Sequence, residues 1–166
     1  MRWLLRTTLA VTSFAPAGQC VAWYRYRWLI ERYHFVLKSG CRLEQLQLRT
    51  AERLERAVAT YCVVAWRLLW LTYEAREAGA VPCTVALRTS EWQALACRMT
   101  GQAEPPRKPP SLRQAVRWIA QLGGFLGRKG DGEPGVQVLW RGWSRLQDLT
   151  ALWEVLHPHA APSTYG

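Results

Sequence analysis

The sequence predicts a mainly α-helical protein with one short strand. Apolar residues recur every three or four positions in residues 21–39, 49–77 and 136–156, the spacing of an amphipathic helix. The first two of these segments contain neither proline nor glycine. Only residues 3–11, which are rich in leucine and threonine and are followed by Ser13 and Pro16, have the composition of a buried strand.

The remaining elements follow from helix caps and from breaks in the apolar pattern. Thr50 and Ser111 are predicted N-caps, and Gly40 and Gly123 are predicted to end helices. The predicted order is a helix at 17–39, a helix at 49–77, a break at 79–89, a short helix at 90–100, a polyproline-like linker at 101–110, a helix at 111–122, a glycine-rich turn at 127–135 and a last helix at 136–156.

The composition favours a polyanionic partner. Lys and Arg number 22 against 12 Asp and Glu, which gives a formal net charge of +10, and Arg far outnumbers Lys. Arginine binds phosphate with two hydrogen bonds and stacks on bases, although a codon bias toward Arg gives the same composition. Ten Trp residues exceed what a small core needs, so we expect a partner surface or a nucleic acid to cover some of them.

The cysteines argue against a metal or disulfide framework. The five Cys residues form no CxxC pair and lie near no histidine cluster, which disfavours a zinc site. Their odd number favours reduced thiols in a cytosolic protein. The first 20 residues loosely resemble a signal peptide, but Arg6 interrupts the apolar run, and no run approaches the roughly 20 apolar residues that span a membrane.

The most informative residues of the first helix are Tyr24, Arg27, Glu31 and Lys38. Relative to Tyr24 the other three fall at about 300°, 340° and 320° on a helix, a stripe about 60° wide. The stripe carries an aromatic hydroxyl, a guanidinium, a carboxylate and an ammonium. The alternative is that Glu31 and Lys38 are ordinary solvated charges.

The spacing Tyr-x2-Arg-x3-Glu-x6-Lys resembles the YREK signature of DDE transposases of the insertion-sequence-four group, the transposon-five-like enzymes. The flanking segments WLLRTTLAVTSF, SLRQAVRWIAQLGGFLGRKG and LWRGW are similar to that group as well. The resemblance extends over residues 3–156.

This resemblance implies a domain organisation. Residues 1–80 would be the C-terminal end of a ribonuclease-H-like catalytic domain, with one strand and the glutamate-bearing helix. Residues 81–89 would be a linker, residues 90–157 a helical dimerisation domain, and residues 158–166 a disordered tail. The stripe of Trp140, Trp143 and Trp153 on the last helix would either pack in the core or meet another copy.

The resemblance also implies roles for the signature residues. Glu31 would be the third catalytic carboxylate and a ligand of Mg²⁺ or Mn²⁺. Tyr24, Arg27 and Lys38 would contact the DNA of the transposon ends. The partners would be DNA and a second transposase chain, as a homodimer or as a mixed dimer with the full-length enzyme. The location would be the bacterial cytoplasm near the nucleoid, and no membrane is involved.

The chain departs from the family in its acidic residues. The family places two catalytic aspartates before the glutamate, whereas Glu31 is the first acidic residue here and the only aspartates are Asp131 and Asp148. We therefore expect a C-terminal part of a cut-and-paste transposase that is inactive alone. The alternative is a non-enzymatic inhibitor that forms mixed dimers with intact transposase. A basic helical nucleic-acid-binding protein is a third hypothesis, against which the complete signature argues.

Overall fold

A computed structural model describes residues 4–41 and 43–158 of the chain. Within them the α-helices are α1 (Phe14–Tyr24), α2 (Arg27–Phe35), α3 (Ala51–Glu77), α4 (Thr89–Thr100), α5 (Leu112–Leu122) and α6 (Val136–Leu156). A π-helical turn covers Val36–Gly40, and 3-10 turns cover Leu43–Gln45 and Cys83–Val85. The mainly α prediction is confirmed, and β pairing in the described part is limited to an isolated bridge between Pro82 and Ser111.

The strand predicted at 3–11 is wrong for the residues that the structure describes. Residues 4–11 form no strand and are exposed to solvent. Leu4 is 81% exposed and Leu9 is 50% exposed. A strand needs a neighbouring strand to satisfy its backbone N–H and C=O groups, and the described residues contain none.

The single helix predicted at 17–39 is divided in the structure. The N–H of Tyr26 donates to the Trp23 carbonyl at 3.0 Å, a bond one residue shorter than the α-helical register, so α1 ends and α2 begins after it. Near Gly40 the hydrogen bonds span five residues instead of four, since the N–H of Cys41 donates to the Val36 carbonyl at 2.9 Å. Neither change is marked by a proline, so the apolar spacing does not reveal them.

The later helices agree with the sequence. Helices α3, α5 and α6 occupy the predicted segments within two residues. Thr50 caps α3 by accepting from the Arg53 N–H at 3.3 Å, and Ser111 caps α5 by accepting from the Gln114 N–H at 3.2 Å. These caps form because their side-chain oxygens satisfy N–H groups of the first turn.

The core lies among the second half of α3 and helices α4, α5 and α6. Its most completely buried side chains are Ala65, Leu68, Cys83, Leu95, Ala96, Leu112, Ala115, Ile119, Ala120 and Leu146. The segment 81–89 is part of this core, since Cys83 and Leu87 are buried. The N–H of Cys83 donates to the Pro110 carbonyl at 2.9 Å, and the N–H of Leu112 donates to the Val81 carbonyl at 2.8 Å. The division of the chain at 81–89 stays a prediction.

Two glycines set the distance between α5 and α6. A Cβ on Gly142 would lie 1.7 Å from the Ile119 carbonyl oxygen, and a Cβ on Gly123 would lie 1.8 Å from the Val138 carbonyl oxygen. Both obstructions are backbone atoms, which a side-chain rotation cannot move. The two helices therefore touch through backbone at this crossing, and this contact holds α6 against α5.

The predicted tail at 158–166 falls almost wholly outside the described residues, which end at Pro158. Within the described residues, no helix is long and apolar enough to cross a membrane.

Candidate functional site

Three of the four signature residues meet at the junction between α1 and α2. The Arg27 guanidinium carbon lies 5.5 Å from the centre of the Tyr24 ring, and Arg27 Nη2 lies 2.9 Å from Glu31 Oε1. The side chains of Arg27 and Glu31 are more than half exposed. This group is therefore accessible to a large ligand, and Arg27 already neutralises the Glu31 carboxylate.

Lys38 lies on the π-helical turn and has a different partner. Its Nζ lies 3.0 Å from Oε1 of Glu44 in the following 3-10 turn. The π turn adds a residue to the helical repeat, so the straight-helix angle of 320° does not apply to Lys38. The sequence did not indicate Glu44 as the partner of Lys38, because a residue six positions later and outside a regular helix leaves no periodic signal.

The carboxylates of the described residues do not fit a two-metal site. No group of three or more His, Cys, Asp or Glu side chains in residues 4–41 and 43–158 is arranged to hold a metal ion. Glu31 is paired with Arg27, and both aspartates of the sequence lie after α5. A pair of divalent ions needs bridging carboxylates from several elements, so we derive no metal-dependent step from these residues.

The three predicted dimerisation tryptophans all have partners in their own chain. Trp143 is 8% exposed, and the Arg67 guanidinium carbon lies 4.6 Å from its ring centre. Trp140 is half-buried against Tyr61, with ring centres 5.8 Å apart. The role of these tryptophans in association stays a prediction.

Trp153 differs from the other two tryptophans because it lies near the exposed end of α6. Its ring stacks on His157 at 3.8 Å, and its buried indole N–H has no hydrogen-bond partner among the described residues. Buried polar groups normally have a partner, so this N–H is an unsatisfied donor.

The last turns of α6 expose an apolar surface that the sequence did not indicate. Leu152, Val155 and Leu156 are exposed, and Val155 is 76% exposed. We call these three residues the α6 end patch. Leu156 continues the apolar spacing of α6 but is 65% exposed, whereas Glu154 in the same turn accepts a hydrogen bond from the Ser90 hydroxyl at 2.7 Å.

Three of the cysteines and one tyrosine have a raised pKa. Burial raises the pKa of the Cys41 and Cys83 thiols to about 11, and burial raises the pKa of Cys97 as well. Burial, followed by proximity to Cys62, raises the pKa of Tyr33 to about 12. The Tyr33 hydroxyl donates to the Cys62 carbonyl at 3.1 Å. All five cysteines are free in the structure, and the two buried thiols pack as apolar groups.

Two families match the chain in succession. Residues 2–67 match the transposase DDE domain, and residues 63–157 match the transposase Tn5 dimerisation domain. The two matches meet at residues 63–67, in the middle of α3. The signature residues lie in the first match, and the three tryptophans and the α6 end patch lie in the second.

The DDE family implies DNA as the partner and divalent metal ions as the cofactor of the intact enzymes, and the second family implies association between chains. The match to the second family covers more than half of the sequence. The chain therefore belongs to the Tn5 transposase dimerisation-domain family, with transposase DDE-domain sequence in its first part.

Proposed function

We propose that this chain is the C-terminal part of a cut-and-paste DNA transposase of the YREK group. It binds DNA through the junction of α1 and α2, associates with a second transposase chain through α6, and does not cleave DNA alone. The observation that carries this proposal is the distribution of exposed apolar side chains between the two family matches.

Large exposed apolar side chains are concentrated in the residues that match the DDE domain. They are Leu4, Leu5, Leu9, Val11, Phe14, Val21, Trp23, Tyr24, Tyr26, Trp28, Ile30, Phe35, Leu48, Leu54, Val63 and Trp66. The part that matches the dimerisation domain alone encloses most of the core and exposes few such residues. Soluble proteins rarely expose an extended apolar surface, so the first part has the surface of a domain that another polypeptide completes. This supports assigning the first part of the chain to the end of the catalytic domain and residues 90–157 to the dimerisation domain, with the second half of α3 sharing the core of the latter.

The exposed cations of α1 and α2 support DNA binding. Arg27 is accessible at the helix junction beside Tyr24, and Lys38 is accessible on the next turn. Each cation forms an ion pair with one exposed carboxylate, and such surface pairs stabilise a protein by only about 0–1 kcal/mol. A phosphate therefore competes readily for either cation. The net charge of +10 strengthens the attraction at long range.

The acidic residues support the absence of catalysis by the chain alone. Glu31 is the proposed third carboxylate of the metal site. The sequence has no acidic residue before Glu31, where the family has its two catalytic aspartates. One carboxylate, already paired with Arg27, is insufficient to position two divalent ions.

A second candidate function is inhibition of transposition through mixed dimers. Its specific support is that most of the buried core lies in the part matching the dimerisation domain, while the sequence has no acidic residue before Glu31. A chain of this kind would occupy one position of a dimer without contributing an active site.

The α6 end patch provides the experiment that tests association. The purified full chain should form a dimer in sedimentation velocity, and Val155→Asp should shift it toward the monomer because a buried carboxylate at an interface is costly. Leu126→Asp is the matched control, since Leu126 is also exposed but lies in the loop before α6. Affinity-tagged intact Tn5-family transposase should retain the wild-type chain and release the Val155→Asp variant. A chain that is monomeric at all concentrations and is not retained would refute both association and inhibition.

A further inference from the structure

We propose that Trp66, Trp70 and Arg88 form a binding site for an unpaired nucleobase of single-stranded DNA. We call it the α3 cleft. The site lies apart from Tyr24, Arg27 and Glu31. This inference rests on the proposed function, because it takes its ligand class from a chain that acts on DNA.

The cleft is formed between α3 and residues 83–88. It encloses about 430 Å³ and is bounded on the α3 side by Trp66 and Trp70 and on the other side by Thr84 and Arg88. A volume of this size falls within the range of ordinary small-ligand pockets. One wall is aromatic, and the other presents backbone, a hydroxyl and a guanidinium.

The aromatic wall has the geometry of a stacking platform. Trp66 and Trp70 are four residues apart on α3, and their rings are nearly parallel, with centres 6.3 Å apart and planes inclined by 10°. Trp66 is 59% exposed. Two parallel indoles, of which Trp66 is more than half exposed, offer a surface suited to stacking on a base, and such stacking tolerates any sequence.

The arginines of the cleft differ in how firmly they are held. Arg67 donates to the Ala86 carbonyl at 2.9 Å and covers the Trp143 ring, so its position is fixed. Arg88 is half exposed and contacts Glu91 at 3.5 Å and Glu154 at 3.7 Å, both long for an ion pair. The Arg88 guanidinium is therefore free to turn toward a phosphate.

Glu91 does not depend on the Arg88 side chain. Its carboxylate is 3% exposed and accepts from the Arg88 backbone N–H at 2.8 Å and from Gln147 Nε2 at 3.1 Å. These bonds remain when the Arg88 guanidinium moves to a ligand. Glu91 and Glu154 also balance the charges of Arg67 and Arg88, so stacking rather than charge dominates the binding.

Single-stranded DNA fits this site better than duplex DNA does. In a duplex each base already stacks on its neighbours, so its face is not available to Trp66, whereas a single strand offers base and phosphate together. Because Arg88 offers a single phosphate contact and lies beside Glu91 and Glu154, binding here should depend less steeply on salt than duplex binding does. Duplex binding at Arg27 and Lys38 should depend strongly on salt, which separates the two sites experimentally.

The test measures fluorescence anisotropy of a labelled thymidine decamer and of a duplex of the same length with the full chain. Trp66→Ala should weaken binding of the single strand about tenfold or more and leave duplex binding unchanged. Trp66→Phe should retain most of the single-strand affinity. Trp23→Ala is the matched control, because Trp23 is an exposed indole on α1, outside the cleft, and its removal should leave single-strand binding unchanged. The thermal midpoint confirms that each variant is folded.

Two results would overturn the proposal. One is single-strand binding by folded Trp66→Ala at wild-type affinity. The other is loss of self-association in Trp66→Ala without any loss of single-strand binding, which would identify the occupant as a polypeptide. If the proposed function were wrong, the result would differ. The chain would show no salt-dependent binding of duplex DNA, but Trp66→Ala would still weaken binding of the single strand.

Discussion

The guanidinium of Arg67 on α3 lies over the indole of Trp143 on α6, with its central carbon 4.6 Å from the ring centre. The same guanidinium donates to the Ala86 carbonyl and lies 3.9 Å from Glu91. Arg67 thus joins α3, the segment before α4, and α6 at one point. Trp143 is a part of this internal junction.

We predict that Trp143→Ala lowers the free energy of unfolding by about 3–5 kcal/mol, the usual cost of removing a buried aromatic side chain. The measurement is urea unfolding followed by circular dichroism. Trp23→Ala, which removes an exposed indole, should change the same quantity by less than about 0.5 kcal/mol. If Trp143→Ala instead kept full stability and lost only self-association, Trp143 would be an interface residue.

We predict that Gly142→Ala destabilises the chain by more than about 3 kcal/mol or prevents folding. The added methyl group would meet the Ile119 carbonyl at 1.7 Å, and α5 and α6 would have to separate. Gly18→Ala is the control, and it should not destabilise the chain. No atom lies within 4 Å of where its Cβ would be, and alanine favours a helix. Thermal unfolding of both variants checks this, and a Gly142→Ala midpoint equal to the wild type would show that the helices cross less closely.

We predict that stability falls between pH 9 and pH 11 because of the buried thiols. The pKa of Cys83 is raised from 9.0 to about 11 in the folded chain, so unfolding releases a proton in this window. The stabilisation of the folded state by the protonated Cys83 thiol is fully present below pH 9 and is lost as the pH rises through 11. Its size is on the order of 3 kcal/mol, from 1.36 kcal/mol for each of about two pKa units.

The thiol prediction is checked by urea unfolding at pH 8 and pH 10 under reducing conditions. Cys83→Ala should lose less stability between the two pH values than the wild type does, whatever its stability at pH 8. Equal losses in the two proteins would show that the Cys83 thiol titrates normally in the folded state.

We predict that duplex binding depends on Arg27 and Lys38. Replacing both with Ala should weaken binding and reduce the slope of log affinity against log salt by roughly one unit for each lost phosphate contact. Replacing both Arg107 and Lys108 with Ala is the control, because these are an exposed arginine and an exposed lysine in the segment between α4 and α5. A slope that changes equally in both variants would show that the overall charge, rather than the α1–α2 junction, attracts DNA.

We predict no cleavage of DNA by the isolated chain in Mg²⁺ or Mn²⁺. The reason is that the described carboxylates form no metal-binding group and Glu31 is paired with Arg27. The assay is nicking of a supercoiled plasmid. Nicking that disappears in Glu31→Gln would mean that the site is completed in a way that the structure does not show.

Sequence by itself determined most of the helices and the family. Apolar residues at helical spacing and capping residues such as Thr50 and Ser111 act within one or two turns, so they specified α3, α5 and α6 without knowledge of the fold. The signature spacing and the flanking segments likewise identified the transposase resemblance, and the two family matches support it.

Only the tertiary structure decided which surfaces are buried and which partners the charges take. The register changes at Tyr26 and Val36 depend on single backbone hydrogen bonds, so periodicity could not place Lys38 beside Glu44. Trp143 is buried beneath Arg67, 76 positions earlier, whereas Leu156 is exposed although it continues the apolar spacing of α6. Local patterns encode helix formation because its hydrogen bonds are local, whereas burial is set by contacts between residues far apart in the chain.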